Sequence, residues 1–190
     1  MARPPVRVQI KRLGAAKALF GRYRELGGDP TVMHESFGAL LEASTRNRFD
    51  TGRGPGGIPW PQTQRQRKGA VGARGPNKNK ILVDEGLLLG SIRFVTRPGE
   101  LELGVDGASE SARNAKSHQF GVDKVVEVKS HGRVINEAFG VPLHSPVSVI
   151  VKQHSRNMSI PKRPFLGVDE DDRRDLKEVA VEILRELKNG

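Results

Sequence analysis

The stretch Ser159-Ile160-Pro161-Lys162-Arg163-Pro164-Phe165-Leu166-Gly167 leads directly into the most regular helical pattern of the chain. Its two prolines restrict the backbone and favour an extended conformation. Phe165 and Leu166 add two neighbouring apolar side chains of the kind that proteins bury. We therefore expect residues 159–167 to form a rigid strap that determines where the following helix packs.

The segment after the strap predicts a helix over residues 170–188. Residues 169–172 are all acidic, and the N-terminus of a helix favours negative charge. Apolar side chains then recur on one helical face, in the order Leu176, Val179, Ala180, Ile183, Leu184 and Leu187. This stripe must pack on another element, and a sheet is the simplest partner.

Two hairpins are indicated before the strap. Apolar residues alternate on either side of Arg97-Pro98-Gly99-Glu100, which is typical of a β-hairpin over residues 92–106. The sequence Val126-Glu127-Val128-Lys129-Ser130-His131-Gly132-Arg133 is echoed later by Val149-Ile150-Val151-Lys152-Gln153-His154-Ser155-Arg156. Both copies alternate like strands. We expect them to pair in a long hairpin arm over residues 124–158.

The remaining elements are mostly helical. Alternation predicts a short strand at residues 6–10, and apolar side chains at helical spacing predict a first helix over about residues 13–23. The pair Asp29-Pro30 suits the cap and first turn of a second helix. Asp84 is a candidate cap for a further helix, and residues 109–118 suit a short one.

Together these patterns predict an α+β fold. An antiparallel sheet is expected from the 92–106 hairpin and the 124–158 strands, with the helices packed on it. We expect one domain over residues 1–190. It contains a long basic loop over residues 51–80 and a protruding β-hairpin arm over residues 124–158.

The composition describes a basic chain without cysteine. It has 190 residues and a formal net charge of +10. The lack of cysteine excludes a disulfide framework, a thiolate metal site and a thiol nucleophile. The sequence shows neither the apolar region of a signal peptide nor a membrane-spanning run, so we expect synthesis in a cytoplasm and no membrane partner. Basic charge favours polyanionic partners, above all nucleic acid.

The positive charge is concentrated in an acid-free segment. Residues 51–83 carry seven basic side chains, namely Arg53, Arg65, Arg67, Lys68, Arg74, Lys78 and Lys80. One interpretation is contact with DNA phosphates, which requires only a density of Lys and Arg. The alternative is a solvated loop that becomes ordered against acidic patches on neighbouring molecules. The single tryptophan, Trp60, is expected to anchor this loop on the body or on a neighbour, and not to be buried in the core.

No catalytic or ligand-binding constellation is recognisable in the sequence. The five histidines, at positions 34, 118, 131, 144 and 154, have neither helical pair spacing nor an acid or cysteine that completes a metal cluster. A Gly-x-Ser-x-Gly elbow is absent, and the glycine-rich residues 52–57 lack the ending of a phosphate-binding loop. We therefore predict a protein that is not an enzyme and that uses no metal, cofactor or small-molecule substrate.

Three further segments precede the strap in a fixed order along the chain. They are Leu40-Leu41 and Arg48-Phe49 followed by Gly56-Gly57-Ile58-Pro59-Trp60-Pro61, then Ile81-Leu82-Val83-Asp84-Glu85-Gly86-Leu87-Leu88 with Ser91-Ile92, and then His118-Gln119-Phe120-Gly121. This series resembles the motifs of the phage virion morphogenesis family, which includes tail-completion proteins. The resemblance extends over roughly residues 29–187.

The resemblance implies a structural virion protein of a tailed bacteriophage that acts in head–tail joining or tail completion. It implies a position at the head–tail junction of the virion, in a ring-like homo-oligomer that we expect to be a hexamer. The partners are then other copies of the chain and neighbouring neck and tail proteins. If the basic loop faces the lumen of the ring, we also expect non-specific contact with packaged DNA. The alternatives are a basic DNA-binding module and a head-assembly factor that is absent from the mature particle.

Seven residues in these motifs are candidates for assembly or structural roles. They are Trp60 as a loop anchor, His118, Gln119 and Phe120 as a turn that sets the edge of the sheet, and Arg163, Pro164 and Phe165 as the strap. Each of them could instead serve only to maintain the fold.

Overall fold

The computed structural model of the chain describes residues 14–25, 27–63, 66, 80–97, 100–106, 111–138 and 141–189. The strand predicted at residues 6–10 lies outside these ranges. The described helices are α1 (Gly14–Glu25), α2 (Pro30–Thr51), α3 (Leu87–Gly90), α4 (Ser111–Phe120) and α5 (Glu170–Asn189), and a 3-10 turn spans Pro55–Gly57. The described strands are β1 (Ile92–Arg97), β2 (Glu100–Val105), β3 (Val122–Val128), β4 (His131–Ala138), β5 (Val141–Val151) and β6 (His154–Ile160).

These elements form two compact units. The body comprises the chain up to Gly121 and the chain from Pro161 onward, and the arm is Val122–Ile160. The α+β class is confirmed, because helices and antiparallel strand pairs both occur. The prediction of one sheet shared by the 92–106 hairpin and the arm is wrong, since β1 pairs only with β2 among the described strands. Helix α2 packs on that hairpin in place of further strands. A single domain over residues 1–190 stays a prediction.

Helix α2 begins where the sequence predicts. Asp29 lies in extended backbone, and its Oδ1 accepts a hydrogen bond from the N–H of Thr31 at 2.9 Å. Pro30 follows in the first turn, where a missing N–H is not needed. Gly52 ends the helix in a left-handed conformation (φ 66°), and its N–H donates to the carbonyl of Arg48.

The core of the body is arranged around α2. Toward its C-terminal end, the helix buries apolar residues together with the hairpin and the strap, in a cluster that includes Leu41, Phe49, Trp60, Ile92, Leu103, Phe165 and Leu166. Toward its N-terminal end, Met33 and Phe37 pack with Tyr23 of α1 and Ala180 of α5. The apolar stripe of α5 therefore packs mainly on helices, and the expectation of a sheet as its partner is wrong. Ala180 is fully buried, and its small side chain lets the helices approach closely.

The short helix α3 is not capped by Asp84. Its N-cap position is occupied by Gly86 in a left-handed conformation (φ 79°), and no side chain caps the helix. Glycine adopts this conformation without the steric cost that a Cβ brings. Helix α3 therefore starts later in the sequence than a cap at Asp84 would predict.

The arm is built from two antiparallel strand pairs, β3 with β6 and β4 with β5. The two repeated copies do pair, as predicted, and the pairing extends over residues 122–160. Val128 lies opposite His154, and His131 lies opposite Val151, so residues 129–130 and 152–153 interrupt the two ladders at the same level.

Candidate functional site

The strap is the segment on which the sequence motifs converge. Side chains from α2, from the loop after it and from α4 all bond to the backbone of residues 163–169. We call this region, with Arg48, Trp60, Gln119, Arg163 and Asp172 as its principal side chains, the strap junction. It fixes the approach of the chain into α5.

Gln119 holds the strap as a neighbouring strand would. Its Oε1 accepts hydrogen bonds from the N–H groups of Phe165 and Leu166, both at 3.0 Å. Its Nε2 donates to the carbonyl of Leu166 at 2.8 Å. Gln119 is buried, and so are Phe165 and Leu166. One amide side chain thus satisfies three buried backbone groups, which would otherwise be costly.

Arg163 joins the strap to the start of the basic loop. Its Nε donates to the carbonyl of Pro61 at 2.7 Å, and its Nη2 donates to the carbonyl of Gln62 at 3.0 Å. Its own N–H donates to the carbonyl of His118 at 2.7 Å. A buried guanidinium with several donors is suited to such a task, because its fork geometry can serve two carbonyls at once.

His118 lies beside Arg163 in a poorly solvated position. The Nδ1 atom of its ring is buried and has no hydrogen-bond partner among the described residues. Burial lowers the pKa of His118 below its usual value of 6.5, and the positive charge of Arg163 lowers it further. The surroundings of this imidazole therefore favour its neutral form.

Trp60 connects the loop to the strap from the other side. Its Nε1–H donates to the carbonyl of Pro164 at 2.9 Å. Its ring meets that of Phe49 edge-on at 5.4 Å. The backbone of Gly54 passes so close that a Cβ there would lie 2.7 Å from the Pro164 carbonyl oxygen. Trp60 is 5% exposed and belongs to the main core, so the expectation that it would not be core-buried is wrong. Its indole N–H has a partner inside the core, which removes the cost of burying it.

Arg48 joins α2 to both the strap and α5. Its Nη1 donates to the carbonyls of Phe165 and Gly167, at 3.0 and 2.9 Å. Its Nη2 forms an ion pair with Asp172 at 2.5 Å, and Ser44 donates to the other oxygen of the same carboxylate. Both charged groups are buried, and these further hydrogen bonds offset the cost of removing the pair from water.

Asp169 and Asp172 cap the first turn of α5 reciprocally. Asp169 Oδ1 accepts from the N–H of Asp172, and Asp172 Oδ2 accepts from the N–H of Asp169, both at 3.0 Å. Burial opposes ionisation of Asp169. Hydrogen bonds from the N–H groups of Asp172 and Gly56, with the charge of Arg48, outweigh burial and lower the pKa of Asp169 below 3.8.

The predicted site residues are thus placed as follows. Trp60, Gln119, Arg163, Pro164 and Phe165 meet at the strap junction. His118, Gln119 and Phe120 form the last turn of α4 and not a turn at a sheet edge, and Phe120 is 52% exposed. Whether these residues act in assembly or only maintain the fold stays a prediction.

The basic residues of the loop separate into two groups. Arg53 Nη1 donates to the carbonyl of Gly57 at 3.0 Å, and Lys80 forms an ion pair with Asp50 at 2.7 Å. Arg65, Arg67, Lys68, Arg74 and Lys78 lie outside the described residues. Their contact with DNA stays a prediction.

Sequence reasoning did not assign a role to Arg48, and it explained Asp172 only as a helix-terminal acid. The available signal was weak. An arginine near the end of a helix that is otherwise apolar on that face, together with an Asp-x-x-Asp start on a later helix, is compatible with a buried ion pair. It does not show that the two groups meet.

What the arrangement can do is mechanical. The side chains of Arg48, Trp60, Gln119 and Arg163 each hold one chain segment against another. Among the described residues there is no cluster of three or more His, Asp or Glu that could hold a metal ion. Within the same part of the chain, no helix is long and apolar enough to cross a membrane.

Comparison with known proteins identifies the family. The family model of the phage virion morphogenesis family matches residues 12–185, which includes α1 through most of α5. The chain belongs to this family. No curated protein and no solved structure matches it.

Membership gives the phage virion morphogenesis protein a role in the assembly of a bacteriophage virion. The family match runs through the strap junction and the arm alike. The motifs with Arg48, Trp60 and Gln119 bond to the strap. The motif over residues 81–92 instead contributes Val83 and Ile92 to the same core cluster.

Proposed function

We propose that this phage virion morphogenesis protein acts in head–tail joining or tail completion at the neck of the virion. It does so without catalysis, by contacts among its own copies and with neighbouring neck and tail proteins. The observation that carries the proposal is the surface of the arm. None of the described residues of the arm is buried. Five of its large apolar side chains are exposed, from Val147 at 44% to Ile150 at 78%.

Such a surface is expected of an element that is completed by a partner. A two-stranded β-structure alone is at best marginally stable in water. Each described strand of the arm pairs with one other strand, which leaves one edge for a further strand. A neighbour that pairs with such an edge gains main-chain hydrogen bonds and covers the apolar side chains in the same step.

The exposed apolar residues are concentrated in one part of the arm. Val134, Val141, Val147 and Ile150 all belong to the β4–β5 pair, whereas Val125 belongs to β3. Burying apolar surface contributes about 25 cal/mol per Å². The β4–β5 pair is therefore the part of the arm that we assign to subunit contacts.

The strap junction supports this role by keeping the body rigid. It connects α2, α4 and α5 through hydrogen bonds to one extended segment. A head-to-tail contact repeated between identical copies closes into a ring when the rotation between copies permits. We propose a ring of six copies, whose subunits keep the same shape because their bodies do not deform.

The proposed DNA contact of the basic loop is limited to five of its seven basic residues. Since Arg53 and Lys80 form bonds within the chain, any lumen-facing contact with packaged DNA falls to the five basic residues between positions 65 and 78. Such a contact would be independent of DNA sequence.

The assembly proposal is tested by the mass of the full chain in solution. We expect a discrete species near six times the 20.8-kDa mass of one chain by light scattering. A variant with the four exposed apolar residues of the β4–β5 pair replaced (Val134→Thr, Val141→Thr, Val147→Thr and Ile150→Thr) keeps strand propensity but loses apolar surface. It should shift toward the monomer.

The matched control replaces the same residue types in the body, as Val32→Thr, Ile58→Thr, Val95→Thr and Val181→Thr. These positions are also exposed, from 43% to 67%. The control should keep the mass of the natural chain. Equal masses for the arm variant and the natural chain would contradict the role of the arm.

The neck role is tested in particles. In lysates of the phage that lacks this protein, separate heads and tails should accumulate, and purified chain should join them. Complete infectious particles without the protein would contradict the proposal. Malformed heads would favour the alternative of a head-assembly factor.

A further inference from the structure

The arm carries a duplicated Lys-x-His-x-Arg sequence at its middle. The first copy is Lys129-Ser130-His131-Gly132-Arg133, and the second is Lys152-Gln153-His154-Ser155-Arg156. All ten residues are exposed. The assembly role proposed above uses the apolar β4–β5 side chains and does not account for these polar residues.

The two copies have the same local structure. The Nδ1–H of His131 donates to the carbonyl of Lys129, and the Nδ1–H of His154 donates to the carbonyl of Lys152, each at 2.9 Å. The ladder register places the two interruptions at the same level of the arm. Four cations and two imidazoles thereby lie at one level of the arm, although they are far apart in sequence. Continuous alternation from one ladder to the other places the first copy and the second copy on opposite faces of the paired strands. We call this set of residues the arm band.

The charge of the arm band is not compensated within the arm. The arm has three acids, Asp123, Glu127 and Glu137. The ion pairs recorded among the described residues all lie in the body, where for example Arg46 pairs with Glu42 and Arg174 with Asp171. The arm band therefore presents positive charge to whatever approaches the arm.

We propose that the arm band binds the phosphates of double-stranded DNA, as a site separate from the basic loop. A two-stranded β-ribbon fits the major groove of B-DNA, which is about 12 Å wide. The Lys and the Arg of each copy are four residues apart, which corresponds to about 13.6 Å along a strand. Successive phosphates along one DNA strand rise by about 3.4 Å, so the Lys and the Arg of one copy match the spacing of phosphates about four positions apart.

The residues between the cations favour DNA over an acidic protein. They are Ser130, Gly132, Gln153 and Ser155, which are small or hydrogen-bonding. Side chains of this kind, with Lys and Arg, make most contacts to the DNA backbone. Protein interfaces are instead built around aromatic and apolar residues. The arm band contains no such residue.

The test is DNA binding by the full chain, measured by fluorescence anisotropy with a mixed-sequence duplex of about 30 base pairs between about 50 and 200 mM salt. The arm-band variant carries Lys129→Gln, Arg133→Gln, Lys152→Gln and Arg156→Gln. The matched control makes the same charge change at exposed positions in the body, as Arg24→Gln, Lys116→Gln, Lys177→Gln and Arg185→Gln.

We expect the arm-band variant to lose affinity by on the order of 100-fold, and its slope of log K against log salt to fall by about 3. The control should lose less than about threefold, because its cations lie outside the proposed contact. Circular dichroism and light scattering on both variants confirm that fold and assembly are retained. Lost DNA binding at unchanged mass separates this site from the proposed assembly role.

Three results would overturn the proposal. Equal losses in the two variants would show that only net charge matters. Retained affinity in the arm-band variant would place DNA binding elsewhere. Tighter binding of polyglutamate than of DNA, lost with the arm band, would assign the site to an acidic protein surface.

Discussion

Replacement of Gln119 by methionine should destabilise the body more than any surface change of similar size. Methionine has nearly the same shape as glutamine but cannot bond to the strap. Gln119→Met therefore leaves three buried backbone groups unpaired, the N–H of Phe165 and both the N–H and the carbonyl of Leu166. These residues are 0% and 2% exposed, so water reaches them only if the strap moves.

The magnitude follows from the cost of each unpaired group. A buried donor or acceptor without a partner costs about 1–3 kcal/mol. Partial relaxation of the strap reduces the sum, so we expect a loss of about 3–6 kcal/mol in the free energy of unfolding. Because domains are stable by only about 5–15 kcal/mol, this is a large share of the total.

Urea unfolding measures this loss with a reporter already in place. Trp60 is the only tryptophan of the chain, and its indole donates to the strap carbonyl of Pro164. Its emission should report release of the strap, and far-UV circular dichroism should report the helices. The exposed substitution Gln153→Met in the arm serves as the control and should change the free energy by less than about 0.5 kcal/mol.

A loss below about 1 kcal/mol in Gln119→Met would refute this reasoning. It would mean that the hydrogen bonds of Gln119 do not hold the strap in place. The loss could instead be large while the Trp60 emission stays native at the midpoint of the circular-dichroism transition. The helices would then unfold before the strap is released, which would contradict a single cooperative junction.

Three further predictions concern the same junction. Arg48→Met should cost about 3–5 kcal/mol in urea unfolding, because it leaves the buried carboxylate of Asp172 unpaired, and Asp172→Asn in the same chain should restore part of it. Gly54→Ala should cost about 1–3 kcal/mol because a Cβ would collide with a strap carbonyl, whereas Gly90→Ala, in open space, should be neutral within error. Because the pKa of His118 is lowered, the unfolded chain binds the extra proton. The free energy of unfolding should therefore fall as the pH drops through about 6.5, and His118→Gln should remove that part of the pH dependence.

The elements governed by local signals were predictable from the sequence. The cap at Asp29 and the acidic start of α5 specify helix ends through contacts within a few residues, and both helices start where these signals lie. The arm was predictable for a similar reason. The repeated Val-rich copies alternate with period two, and the pairing of one copy with the other places both in register.

The partners of these elements were not predictable. The stripe of α5 is compatible with a sheet or with helices, and only the small Ala180 hints that α1 and α2 cover it. Trp60 looked like a surface anchor, since glycines and prolines surround it. Its burial depends on one carbonyl, that of Pro164, which comes from a distant part of the chain. The ion pair of Arg48 with Asp172 likewise joins residues that no local pattern connects.

Site-specific cross-linking of the assembled chain tests most directly whether the arm forms the subunit contact. The natural chain has no cysteine, so Ile150→Cys places a single thiol on the exposed part of β5, and Val181→Cys places one on an exposed position of α5. With a maleimide-linked benzophenone attached to the thiol, illumination of Ile150→Cys should yield covalently linked copies, because the photo-activated group reacts with whichever surface of a neighbouring copy lies against it. Val181→Cys should yield none. Cross-linking at Val181→Cys with none at Ile150→Cys would contradict assembly through the arm.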